Sequence, residues 1–331
     1  MSTKLRLSLA CGDYDRTRPI LDGRVEVEGC ELAALPLTPE ESFFRAFRHQ
    51  AFDVAELSLS TYVMTTARGT CPYIAVPAFV SRSFRHSAIY VRRDRGIARP
   101  EDLRSKRIGV PEYQVTAAVW ARAILEQEHG VRPQDLHWVS GGVEEPGRPE
   151  KVALSVPPGV ELSRAPEGRW LSEMLAAGDL DALMCPRAPS CFDAGHPEVA
   201  RLFADPAAAA AEWYRRRGIF PIMHVVGIRR SLVEAHPWLP QSVFKAFTAA
   251  RDIALQRLRD TTALAVSLPF LVEETERTQA LMGTDFWPYG LASNRETLDV
   301  FLQHHHAQGL SPRRLTAEEL FANSALERFM I

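Results

Sequence analysis

An excess of charge of either sign is missing from this chain of 331 residues. Its 39 Lys and Arg stand against 41 Asp and Glu, a formal net charge of −2. No overall field therefore draws it to nucleic acid or to an anionic membrane, although local basic clusters could hold a small anion. No stretch approaches the roughly 18 apolar residues that cross a bilayer. The opening "MSTKLRLSLACGDYD" mixes charges into its apolar residues and lacks the unbroken apolar segment of a secretory signal. Cysteine is sparse: Cys11, Cys30, Cys71, Cys185 and Cys191 form an odd set without a CxxC spacing. That pattern fits buried thiols in a reducing cytoplasm better than a disulfide framework. HExxH, GxGxxG, P-loop and GxSxG patterns are also missing, so zinc-protease, nucleotide and serine-hydrolase readings lack their basic signatures. There is no internal repeat and no low-complexity tail.

What is present is a patterned α/β chain. The hydrophobic fraction of 46% is ample for a packed core, and the length corresponds to about two domains. "KLRLSLA" reads as a strand and "VEVEGCELAALPL" as a second strand or hairpin arm. "TPEESFFRAFRHQ" carries helix signals, with Thr38 as N-cap, Pro39 at the first helical position and acids in the first turn. "FDVAELSLSTYVM" predicts a strand that turns into a helix around Ser58 and Ser60. "RIGVPEYQVTAAVWARAILEQEHGV" predicts strand, polar turn and a long helix from about Thr116, stopping at Gly130. Such alternation argues α/β. Residues 92–220 form a self-contained set of βα units, so 1–91 and 221–331 belong together. The expected architecture is two lobes joined by two crossing strands near "RHSAIYV" and "PIMHVVGI", with a cleft between them.

Candidate site residues gather at the expected strand ends. The stretch "CGDYDRTR" packs two acids, two guanidiniums, a phenol and a hydroxyl into six residues after the first strand. It is either a self-neutralising turn or the mouth of a site. Arg16, Arg18, Arg82, Arg85 and Arg187 all fall at strand ends, where a guanidinium fork suits a planar carboxylate; a solvated surface role is the plain alternative for each. Gln114 and Thr116 open a helix whose free N–H groups favour an anion, against ordinary N-capping by Thr116. Glu112 beside them could act as a base or acid. His86 and His224 interrupt apolar strands at the two crossings. They are core histidines or general acid–base groups. The run His304-His305-His306 reads as a solvated helix face rather than a metal tract.

The blocks "ACGDYDRTRPILDGRV", "FDVAELSLSTYV", "FRHSAIYV", "RIGVPEYQVTAAVW", "GGVEEPGR", "DALMCPRAPS", "RRRGIFPIMH" and "MGTDFWPYGL" span nearly the whole chain. In them it closely resembles the 4,5-dihydroxyphthalate decarboxylases. The resemblance implies a type 2 periplasmic-binding-protein-like fold, related to thiamine-pyrimidine synthase-like proteins. It also implies non-oxidative loss of one of two adjacent aromatic carboxylates, giving protocatechuate in phthalate breakdown. On that reading Arg16, Arg18 and Arg187 clamp carboxylates and the helix start at Gln114 and Thr116 is a further anion site. Ser58 and Ser60 donate hydrogen bonds, and His86 and His224 are the acid–base pair, with Asp13 and Glu112 behind them. No cofactor is expected. A divalent metal bridging the catechol oxygens, on Asp13, Glu112, His86 and His224, is the alternative. The partner is a small aromatic dicarboxylate, and a homo-oligomer is expected. Three rivals stand beside this reading: a non-catalytic binding protein for an aromatic acid, a decarboxylase of another hydroxylated aromatic acid, and a pyridoxal-phosphate-using enzyme. The last needs a cleft lysine that none of these strand ends supplies.

Overall fold

The computed structural model describes residues 4–148 and 152–326. Eleven strands fall in these residues: β1 Leu5–Cys11, β2 Cys30–Pro36, β3 Val54–Ser58, β4 Tyr73–Arg82, β5 Ile89–Arg92, β6 Arg107–Val110, β7 His137–Ser140, β8 Glu161–Arg164, β9 Ala182–Met184, β10 Val199–Arg201 and β11 Ile222–Arg229. They form two sheets, ordered β2-β1-β3-β11-β4 and β10-β5-β9-β6-β7-β8. The first is mixed: β1 runs parallel to β2 and β3, and β11 returns antiparallel between β3 and β4. In the second, β6 lies parallel to β7 and β9.

Local chemistry places each element. Every residue of β3 is buried, as expected of an inner strand covered on both faces. β4 carries Pro77 and takes the sheet edge, where a missing N–H costs no ladder bond. The helix Pro39–His49 starts as the sequence predicts, with the Thr38 side chain accepting from the Glu41 N–H. The helix Thr116–His129 is buried at every position through Leu125 and ends at Gly130 in the left-handed region. Its apolar residues surround it, which is the pattern of a helix inside the core. Trp120 on this helix donates its indole N–H to the Ile222 carbonyl at the start of β11, at 2.9 Å. This bond ties the second sheet's helix to the first sheet. After Arg229 the chain is helical, with long helices at Leu239–Arg257, Leu271–Met282 and Arg295–Ala307, and no further strand among the described residues.

The two crossings lie side by side. The chain leaves the first sheet after Arg82 and returns before Ile222, and Ser83 N–H donates to the Pro221 carbonyl at 3.1 Å. Phe84 and Phe220 stack across them with centroids 4.8 Å apart. The sequence reading put residues up to 91 with the first sheet. Instead, Ile89 pairs with Met184 and Val91 with Ala182, so β5 belongs to the second sheet and the crossing falls earlier. Arg82, expected at a binding site, serves this junction. Its buried guanidinium donates to the carbonyls of Phe220 at 3.0 Å and Pro288 at 2.7 Å and to the Asn294 side chain. Burial, only partly offset by the charge of Asp285, pushes its pKa down to about 9.

Candidate active site

The carboxyl end of β3 and the segment after β2 face the carboxyl ends of β6, β7 and β9 across a cavity of about 860 Å³, of the size that takes a small ligand. Its wall includes Ser58 from the end of β3, His224 from β11, Arg85 from the first crossing, and Glu112, Gln114 and Thr116 from the turn after β6. Arg148 from the loop after β7 and Arg187 from the loop after β9 join them, as do the acids Glu40, Glu144 and Glu145.

His224 is placed by a strand irregularity. The register of β11 against β4 shifts on both sides of it, and such bulges re-aim side chains. Against β3, His224 sits opposite Ser58 and Val226 opposite Glu56. Glu56 is thus the diagonal neighbour on the same face, within side-chain reach. The His224 Nδ1 lies 2.6 Å from Glu56 Oε1. The same carboxylate accepts the Tyr14 hydroxyl at 3.0 Å and the Gly12 N–H at 2.8 Å. Burial alone would raise the Glu56 carboxyl. The hydrogen bond and charge of His224, then the Gly12 and Tyr14 bonds, together hold it below its ordinary value. Phe43 meets the His224 ring edge-on at 4.8 Å. Glu56 went unnoticed in the sequence, where the signal was a lone acid inside the apolar run "FDVAELSLS".

The opposite wall is rich in polar groups. Glu112, 2% exposed, pairs with Arg148 at 2.8 Å and accepts from Gln114 Nε2 at 3.2 Å. The buried Gln114 Oε1 has no partner among the described residues, leaving an acceptor on the cavity wall. On the His224 side, the Arg85 guanidinium bonds Met223 Sδ at 3.1 Å, and no carboxylate pairs with it among the described residues. Burial brings its pKa down to about 10, so it stays charged at neutral pH. The Thr116 hydroxyl is already engaged by Ser58 Oγ and by the Ser60 N–H, both at 3.0 Å. What the helix start offers an anion is therefore its first-turn N–H groups. Ser60 is fully buried behind the wall and bonds His305. Arg187 stands at the rim, well exposed, 3.5 Å from Glu40.

Several expected site residues do not reach the cavity. Asp13 and Arg18 form a bidentate, exposed pair at 2.8 and 3.0 Å, neutralising each other in solvent. Arg16 donates to the Val80 carbonyl and to Asp15, and its guanidinium lies over the rings of Tyr14 and Trp287 at 4.5 and 4.3 Å. That geometry leaves it as a brace. His86 is buried against Phe203 and Trp213, with Nδ1 unpartnered among the described residues; it is a core histidine. The set Asp13, Glu112, His86 and His224 is consequently scattered, and the described residues contain no group of three or more His, Cys, Asp or Glu arranged to hold a metal ion. The histidine run is not a solvated face either. His304 and His305 are buried, and only His306 is exposed. His305 bridges Ser311 and Ser60.

Two facing α/β sheets, two adjacent crossings and a cleft at the strand ends define a periplasmic-binding-protein-like fold. The family described as "ABC transporter, phosphonate, periplasmic substrate-binding protein" matches residues 20–159. Solved sulfonate-binding proteins share the fold. The one from Methylobacillus flagellatus is 14% identical with a TM-score of 0.55, covering 97% of this chain and 92% of that one. The alkanesulfonate-binding protein of Xanthomonas axonopodis is 14% identical with a TM-score of 0.53, covering 96% and 98%. Sequence relatives narrow the class. The 4,5-dihydroxyphthalate decarboxylase of Comamonas testosteroni is 55% identical over 329 residues, 99% of this chain and 100% of that protein. That of Pseudomonas putida is 56% identical over 212 residues, 64% of this chain and 82% of that protein. The chain belongs to the 4,5-dihydroxyphthalate decarboxylase family.

The placement of His86 has a consequence for acid stability. Burial pushes its pKa from 6.5 down to about 4. Between these values the unfolded chain binds a proton that the native chain does not, so native stability falls as pH drops through this window. The full difference is worth up to about 3 kcal/mol. Urea unfolding of His86→Phe is expected to show a gain over the parent protein that is about 2–3 kcal/mol larger near pH 4.5 than near pH 7. A pH-independent difference would contradict this role.

Proposed function

We propose that this chain is a carboxy-lyase that converts 4,5-dihydroxyphthalate to protocatechuate and CO2 without oxidation. The observation that supports the chemistry is the cavity itself, whose wall carries His224 and Arg85 on one side and the buried Glu112 and Gln114 on the other. A vicinal dicarboxylate suits Arg85 and the first-turn N–H groups of the Thr116 helix. The catechol edge suits Glu112 and the Gln114 Oε1. Transfer of a phenol proton to Glu112 drives electron density to the ring carbon para to that oxygen, which bears the departing carboxylate. The protonated His224 gives its Nε2 proton to this carbon. The bond to the carboxylate then breaks, its electron pair restores the aromatic ring, and CO2 leaves. The phenolate recovers its proton from Glu112, and His224 is reprotonated from water. The phenolate supplies the electron push, so the reaction proceeds on protein groups alone.

The cellular setting follows the same reading. No helix among the described residues is long and apolar enough to cross a membrane, and all five cysteines are free thiols. The free thiols suit a reducing cytoplasm. Leu264, Val266, Leu268 and Phe270 are exposed within seven residues, an apolar patch that supports a homo-oligomer; light scattering on the purified protein should return a mass above one chain.

The decisive measurement is CO2 release from 4,5-dihydroxyphthalate. His224→Gln should lower turnover by about 100-fold or more. Saturable binding of the dicarboxylate with no CO2 would instead favour a solute-binding role, which the shared fold makes the natural rival. Activity should survive exhaustive chelation, with metal analysis run on the same sample; loss on chelation and recovery with one divalent ion would assign the catechol to a metal.

A further inference from the structure

We propose that Glu56 is a positioning residue for the acid–base histidine: its ionised carboxylate fixes the His224 imidazole as the Nδ1–H tautomer and leaves Nε2 for the cavity. The assignment of donors follows from counting. Glu56 Oε1 already accepts the Tyr14 hydroxyl and Oε2 the Gly12 N–H. An ionised carboxylate only accepts, so the 2.6 Å contact requires a hydrogen on Nδ1. Nε2 then has no protein partner among the described residues, on a side chain that lines the cavity.

The surroundings are built for this carboxylate rather than merely tolerant of it. A fully buried acid within an inner strand is more costly than an apolar residue of the same size. Here two separate segments supply it with three donors: the turn after β1 gives two, and β11 gives the third. Gly12 is required for this arrangement. A Cβ there would stand 2.3 Å from the Tyr14 ring, so any side chain would displace the phenol from Glu56. Thr17, fully buried, braces the turn by donating to the Gly12 carbonyl at 2.6 Å and accepting the Tyr14 N–H at 2.9 Å. The titratable and charged groups around Glu56 are His224 from β11, Cys11 and Tyr14 from the end of β1, Arg16 over the Tyr14 ring, and Tyr289 from the C-terminal region. Burial and the charge of Glu56 both push the Cys11 and Tyr14 groups upward, so neither competes for the proton at neutral pH. The side chain with a nitrogen open to the cavity is His224.

The kinetic consequence rests on the acid role of His224 proposed above, whereas the tautomer does not. In the full-length protein, 15N-labelled histidine spectra should show His224 with hydrogen on Nδ1 when neutral. They should show loss of that preference in Glu56→Gln. In turnover, Glu56→Gln should lower kcat by about 100-fold or more with KM changed by less than about threefold, and should displace the limb of the pH–rate profile that His224 controls. The double variant E56Q/H224Q should be no slower than H224Q alone, as for groups acting as one unit. Tyr14→Phe, which removes one donor and keeps the packing, should give a smaller loss in the same direction. A folded Glu56→Gln protein with normal kcat and an unshifted profile would overturn the proposal. So would parent-protein spectra with hydrogen on Nε2 of neutral His224, a readout that decides the matter even if Glu56→Gln does not fold. An inactive parent protein that still shows the Nδ1–H tautomer would overturn the decarboxylase reading and leave the positioning role standing.

Discussion

A negative charge buried in the middle of a fully buried strand is the constraint on which this site depends. Glu56 cannot be hydrated, so its cost must be offset by donors brought from elsewhere in the chain. Those donors come from β11 and from the turn after β1, and meeting the demand fixes both. It fixes the His224 ring, and it fixes the conformation of a turn whose glycine and tyrosine fit only against each other. The arrangement resembles the logic by which a buried acid orients a catalytic imidazole in hydrolases, built here between two strands of one sheet.

The second constraint is the pair of crossings. Two segments leave and re-enter the first sheet next to each other, joined by a backbone hydrogen bond and a stacked phenylalanine pair. Arg82 satisfies three acceptors around them. This junction brings β11, and with it His224, to the floor of a cleft whose far wall is made by the second sheet. Arg85, three residues past Arg82, is carried to the cavity by the same turn. Two arginines of similar sequence context therefore have different tasks: one is spent on carbonyls of the junction, the other is left facing the cleft.

A decarboxylase and a binding protein can share such a fold because both need a cleft with anion-holding groups at strand ends and helix starts. What distinguishes a catalyst is the capacity to move protons next to the bound anion. In the mechanism proposed above that capacity is assigned to His224 and Glu112, one on each wall. Glu112 is kept in place by Arg148 from the loop after β7 and by Gln114, so the loop is part of the site as well as its cover.

The sequence by itself determined the alternation of strands and helices, the Thr38 and Gly130 helix boundaries and the existence of two crossings. Periodicity, caps and turn residues act over a few neighbours and can be read locally. It also singled out His224, Arg85, Glu112, Gln114 and the Thr116 helix start, because polar residues at strand ends of an α/β chain converge on the cleft. Only the tertiary structure decided which charges were spent elsewhere. Asp13 with Arg18, Arg16 with Val80 and two rings, and His86 between Phe203 and Trp213 look in sequence like their neighbours that line the cavity. Apart from partners within the turn itself, these side chains are engaged by residues far along the chain, Val80 and Trp287 for Arg16 and Phe203 and Trp213 for His86, and no local pattern reports contacts over such separations. Glu56 was hidden for the same reason: a single acid in an apolar strand acquires meaning only when β11, 168 residues later, is laid beside it.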